Sequence, residues 1–194
     1  MVITNYKYSI IGLCLVMLIA SCLYFFNNNN SINTVTIHGS HAYYSSAKDM
    51  ETKADLIIVG TPTKAFNDCT PTITYNNSGR YENFYTITDI RISKILKGEY
   101  KDDIVPVAQN AAIDKREKIM LIDDDYSPME KDKKYLMFLK KNQSNGFYYI
   151  LGVNQGKHNI DNFDNNEKEL LENDTHYKKL RQEVLINFNC NLSD

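Results

Sequence analysis

The stretch Phe84–Gly98, FYTITDIRISKILKG, decides the fold of this chain. Its apolar side chains fall at Tyr85 and Ile87, then at Ile90 and Ile92, then at Ile95. The period-two alternation of a half-buried strand therefore changes phase twice. A bulge at Thr88–Asp89 and another near Ser93–Lys94 would return the apolar residues to one face and bend the strand, as long strands in small barrels bend. The expectation is one long, coiled, central strand.

The neighbouring segments supply partners. Ala54–Gly60, ADLIIVG, is a β-branched apolar run with Gly60 and Pro62 after it, and reads as a buried strand. Ser46 offers an N-cap to a short helix over 46–53, with Asp49 in its first turn. Residues 67–81, with Cys69, Pro71 and Gly79, read as a loop leading by a hairpin to the central strand. Ile104–Val107 is a strand at an edge or interrupted, because Pro106 donates no ladder bond. Residues 110–118 read as polar connection, and Ile119–Ile122 as a short strand. Lys134–Lys140, KYLMFLK, and Phe147–Val153, FYYILGV, flank an Asn145-Gly146 turn and form the clearest hairpin. Lys157–Ile160 is a last short strand.

A helical period closes the chain. Asp174 caps a helix in which Tyr177, Leu180, Val184 and Phe188 share a face, with Lys178, Lys179, Arg181 and Gln182 assigned to the other; residues 167–171 add a preceding turn of helix. The apolar face packs on the strands, with a partner helix as the alternative occupant. The fold class is mainly β with flanking helices: a five- to six-stranded antiparallel Greek-key barrel, a C-terminal amphipathic helix and an N-terminal membrane helix.

That membrane helix rests on Tyr8–Phe26, a 19-residue run without a charge. As a helix it rises roughly 28 Å, close to a hydrocarbon core of about 30 Å. Lys7 precedes it and the next basic residue is Lys48, so the positive-inside bias places the following residues outside the cytoplasm. The organisation expected is a cytoplasmic n-region over 1–7, the apolar segment over 8–26, a flexible tether over 27–45 and an extracytoplasmic domain over 46–194. His38 and His41 in the tether lack a third ligand nearby, and Asp123–Asp125 lack the alternate-residue ligands and Gly of a calcium loop. Neither is read as a metal site, and no cofactor is expected.

Composition narrows function. The 194 residues are 24% charged and 43% hydrophobic, an ordinary globular balance. From Lys48 onward 21 basic residues stand against 24 acidic ones, a net of −3, which does not suggest a nucleic-acid binder. The aromatics Tyr135, Phe138, Phe147, Tyr148 and Tyr149 are read as packing rather than as a base-stacking surface. Cys69 and Cys190 are the two cysteines of the domain; a single disulfide and two free thiols both remain open. No G-x-S-x-G or H-E-x-x-H motif is present, and His158 and His176 read as polar surface residues.

Two resemblances add expectations. Leu18-Ile19-Ala20-Ser21-Cys22 resembles a bacterial lipoprotein signal, which implies lipidation of Cys22; the apolar Leu23–Phe26 that follows instead favours an uncleaved anchor. The segments Ala54–Gly60, Tyr85–Ile87 running to Ile95–Gly98, Lys134–Leu139 and Tyr148–Gly152 resemble a group of exported or membrane-anchored proteins of Gram-positive bacteria whose function is not established. Their pattern is "ADxVVxG", "V-x-K-x-L-K-G", "G-x-x-YLLFL" and "G-x-Y-x-L". The layout is also similar to the netrin-like domain, the OB barrel of tissue inhibitors of metalloproteinases. That resemblance implies the fold over about residues 46 to 160, whereas the inhibitors' N-terminal zinc-chelating Cys has no counterpart. The function expected is a non-enzymatic, membrane-anchored binding module for an envelope or extracellular protein. A structural or accessory envelope role, and a hydrolase assembled in space around His158, are the alternatives.

Overall fold

In a computed structural model the described residues are 15–19, 32–123 and 126–189. The chain divides into a unit spanning Met1–Asn33 and one spanning Thr34–Asp194. In the first, residues 15–19 are helical and exposed. Among the described residues no helix is long and apolar enough to cross a membrane. The rest of the expected 8–26 segment, including Cys22, lies outside the described residues.

The second unit is mainly β, and its centre is a closed ring of five strands. β2 (Leu56–Pro62) pairs with β4 (Tyr81–Lys97), β4 with β5 (Ile104–Gln109), β5 with β9 (Tyr148–Ile150), β9 with β8 (Tyr135–Lys141), and β8 with β2. The sequence reading of a wholly antiparallel barrel is corrected here, because β5 and β9 run parallel through Val107–Tyr148 and Ala108–Tyr149. Parallel neighbours need a long connection, which everything from Asn110 to Phe147 supplies. Pro106 sits one residue before the part of β5 that β9 reaches, so its missing donor is not needed on that side. β10 (Lys157–Asn159) extends the sheet on β8, and β3 (Pro71–Tyr75) pairs with the start of β4.

The long strand slips near Ser93, as the apolar pattern suggests, but not at Thr88–Asp89. Its pairing with β2 slips at Ser93 and at Leu96, and its pairing with β3 slips at Glu82. No slip occurs at Thr88–Asp89, where β4 pairs regularly with β5. The inward face therefore runs through Thr86, Thr88 and Ile90, all buried, with Ile92 packed behind them. Thr88 is tolerated inside because Gln109, itself fully buried, donates Nε2 to its Oγ1 at 2.6 Å, whereas the buried Thr86 Oγ1 meets no partner among the described residues.

β2 and β8 read as unbroken apolar runs because both their faces are covered. Leu56, Ile58, Tyr135, Met137 and Leu139 point into the barrel core with Val105, Val107 and Ile150. Ile57, Val59, Leu136 and Phe138 point outward beneath α1 (Ala47–Lys53) and α3 (Thr175–Asn187), against Met50, Leu180 and Val184. Ser46 caps α1 through Asp49 N, and Asp174 caps α3 through Tyr177 N, as their sequences predict. α2 (Asn165–Asn173) precedes α3 and takes its cap from Asp164.

Lys97, near the end of β4, donates Nζ to the carbonyls of Glu51 and, at 2.8 Å, Ala54, so it satisfies the C-terminus of α1. Gly98 then turns with φ +83°, and a Cβ there would lie 2.4 Å from the Asp55 carbonyl oxygen. The Lys-Gly pair at the strand end thus has a packing reason.

A second, three-stranded sheet has the order β1 (Asn33–Ile37), β7 (Ile119–Asp123), β6 (Ala111–Asp114). It corrects two expectations. Residues 111–114 are a fully buried strand rather than polar connection, and the segment expected to be tether contributes a strand. The chain after β1 is also fixed: Tyr44 N donates to Gln155 Oε1 at 2.9 Å, and Tyr43 stacks on His176 with centroids 4.5 Å apart. These residues are polar by composition yet carry enough β-branching and aromatic surface to pack.

Candidate functional site

Two features at one end of the barrel stand together: an open groove and a buried polar network beneath part of it. The groove has a volume of about 1410 Å³. One side is β1 and β7, through Thr34, Thr36, Met120 and Ile122; the other is α2 and the start of α3, through Asn166, Glu169, Asn173 and Tyr177. The floor is the loop Tyr126–Lys131 and the turn Gly152–Gln155. Gly152 lets the turn lie there: its φ is +60°, and a Cβ would stand 3.0 Å from Tyr44 Cδ2 and 3.1 Å from Ala42 O. His41 also lines the groove, with Nε2 2.8 Å from Asp123 Oδ1, while Asn110 Nδ2 donates to Asp123 Oδ2 at 3.1 Å.

The network below is built from β10, α2 and α3. Glu167 accepts from Asn159 N at 2.7 Å and from Tyr177 Oη at 2.6 Å, and its Oε2 lies 3.4 Å from Arg181 Nε. Arg181 Nη2 donates to Asn159 O at 2.8 Å and to Asn162 Oδ1 at 2.9 Å. Asp164 accepts from Tyr135 Oη at 2.8 Å while capping α2 through Asn166 N and Glu167 N. Lys157 Nζ donates to the Ser127 carbonyl and sits 4.6 Å from the centroid of the Tyr126 ring. The Tyr126 hydroxyl donates to Gln109 Oε1 at 3.0 Å, and so joins the network to the barrel interior.

Burial governs the protonation of these groups. It raises the Glu167 carboxyl, partly offset by the Tyr177 hydroxyl and Arg181, and it pushes the Tyr126, Tyr135 and Tyr177 hydroxyls up, so all three stay protonated donors. It lowers Lys157 to about 8, with Asp164 and Glu167 pulling the other way. It lowers His158 to about 3, reinforced by the Arg181 charge. The His158 ring is stacked on Tyr177 at 5.3 Å and edge-on to Phe138 at 6.2 Å, and neither ring nitrogen reaches a hydrogen-bond partner of ordinary geometry.

These placements correct the sequence reading at two positions. His158 is not a surface residue but a fully buried neutral ring, and Arg181 belongs to the inner face of α3. The second was legible: Arg181 follows Tyr177 by four residues and precedes Val184 by three, the spacing of one helix face. His176 is half-buried, its Nε2 donating to Tyr44 O at 3.0 Å and its Nδ1 3.0 Å from the Tyr43 hydroxyl. Cys69 lies partly buried with Sγ 3.4 Å from Ala65 O; Cys190, the other cysteine of the domain, lies outside the described residues. Asp124 and Asp125 lie outside them too. Among the described residues no cluster of three or more His, Cys, Asp or Glu is placed to hold a metal. Of the five aromatics in the hairpin, Tyr135, Phe138 and Tyr148 are core, while Tyr149 is 40% exposed.

The groove is lined by amides, hydroxyls and the carboxylates of Glu130, Glu169 and Asp174. No family model and no curated protein matches this chain.

Proposed function

We propose that this protein is a binding module, held at the outer face of a membrane by its N-terminal apolar segment, whose groove takes an extended segment of an envelope or extracellular protein. The observation that carries the reading is the groove itself. At about 1410 Å³ it exceeds the 300–1,000 Å³ usual for small-molecule pockets. Its polar groups come from separate elements, among them β1, the loop 126–131, the turn 152–155, α2 and α3.

An OB-like barrel fits the ring order β2-β4-β5-β9-β8, with β5 and β9, the third and fifth of these strands along the chain, parallel. A non-catalytic role is supported by the location of the perturbed titratable groups. Lys157 is 2% exposed and His158 fully buried, beneath the groove rather than open to it. The acidic rim argues against a polyanionic ligand.

The test is affinity capture with the full chain in mild detergent, against solubilised envelope and culture-supernatant proteins. Altered charge at two exposed rim residues, a reversal by Glu169→Lys and a new carboxylate by Asn173→Glu, gives the control. A partner enriched by the wild type and lost from the double variant, at unchanged thermal unfolding, supports the groove. Equal enrichment by both, or none by either, overturns it.

A further inference from the structure

The exposed edge of β1 supports an inference independent of what the groove binds. β1 ends the order β1-β7-β6, so one of its edges pairs with no strand among the described residues. Such edges are normally blunted by Lys, Pro, a bulge or a covering element. Here Ile32–Ile37, INTVTI, has no charge and no proline, and five of its six residues are β-branched. Ile32 is 43% and Val35 40% exposed.

The edge is also its own complement. An antiparallel partner of the same sequence, related by a two-fold axis at Val35, sets Val35 against Val35, Thr34 against Thr36 and Asn33 against Ile37. Valine faces valine and threonine faces threonine, both favourable cross-strand pairs, and no like charges meet. Thr34 and Thr36 lie on the face that lines the groove, so the partner's threonines would extend the groove wall. A two-fold contact uses the same patch on both copies and closes on itself.

We infer that β1 is a self-association edge, at which a second copy of this chain adds its own β1 antiparallel to form one six-stranded sheet across the pair. Five paired residues make a small interface, so the dimer is weak and driven by concentration.

Val35→Cys tests it in the full chain, held in mild detergent under gentle oxidation, with peptide mapping by mass spectrometry to separate the new link from those of native cysteines. At the axis the two introduced thiols are directly opposed, within the roughly 4.4–6.8 Å Cα spacing a disulfide requires. Ile37→Cys is the register control, because its two copies stand about 13 Å apart along the strands. The expected result is a covalent dimer linked at position 35 and its loss at position 37. Val35→Lys, at unchanged thermal unfolding, is expected to abolish the concentration-dependent dimer seen by light scattering. Three outcomes overturn the inference: no position-35 link above the wild-type background, equal linking at both positions, or linking to a different polypeptide.

Discussion

His158 is the residue on which acid sensitivity should turn. Its folded value of about 3 lies below the ordinary 6.5, so the unfolded chain binds a proton that the folded chain refuses. Above pH 6.5 the ring is neutral in both states and its contribution is fully present. Between pH 6.5 and 3 stability falls as pH falls, by about 1.4 kcal/mol per unit from this one group. The neighbours that face it are Tyr177 and Phe138 by ring contact and Arg181 and Lys157 by charge. Urea unfolding followed across pH 7 to 4 should therefore show a steep loss in the wild type. His158→Leu should flatten the part of the slope that the carboxylates do not supply, and an unchanged slope would mean the ring is not kept neutral. None of this was legible beforehand, because Lys157-His158-Asn159 carries no apolar pattern. Its burial is created by Tyr177, Glu167 and Arg181 arriving from helices later in the chain.

Among the elements, β4 shows where strand patterns speak and where they mislead. A long bent strand with a slip near Ser93 follows from its apolar phase, and the structure has it. The first phase change has another cause: Thr86 and Thr88 occupy inward positions, Thr88 with its hydroxyl met by Gln109, while Tyr85 and Ile87 turn to the opposite face. A pattern that counts only apolar residues cannot register a buried hydroxyl with a partner 21 residues away. The caps of α1 and α3 were readable because Ser46 and Asp174 act on backbone within three residues. β1, β3 and β6 were not, since each is short, polar or both, and exists through its partners. At the far end of β4, Gly98→Ala would place a side chain in left-handed backbone against the Asp55 carbonyl. A loss of about 1–2 kcal/mol from the conformation alone, and more from the contact, is expected in chemical denaturation. A neutral result would mean the turn after β4 relocates freely.

At the level of the whole molecule, barrel and helices share their cores. Phe138 belongs to β8 yet packs with Leu180 and Val184 of α3, and α1 is tied to α3 through Ala47 N and Glu183 Oε2 at 3.1 Å. Residues 34–189 should consequently unfold in one step. The chain has 14 tyrosines and no tryptophan, so near-ultraviolet tyrosine dichroism reports packing while far-ultraviolet dichroism reports secondary structure. Coincident transitions are expected, and separate ones would show that the helices detach from a surviving barrel. The mainly β class and the helix that covers it could be read from the chain. The groove could not, because one side depends on β1, in a segment that looks like tether, and the rest of its lining is brought together only by the fold.

The parallel contact between β5 and β9 also bears on how the molecule comes into being. A ribosome releases β2, β4 and β5 well before β8 and β9, and Leu56 must wait for Leu139 to complete its own pairing. Until then the growing chain carries two unsealed margins at once, and the last strands to appear close both, β8 against β2 and β9 against β5. Maturation is thus deferred to the end of synthesis, and a chain cut short before Tyr148 has no route to the finished ring.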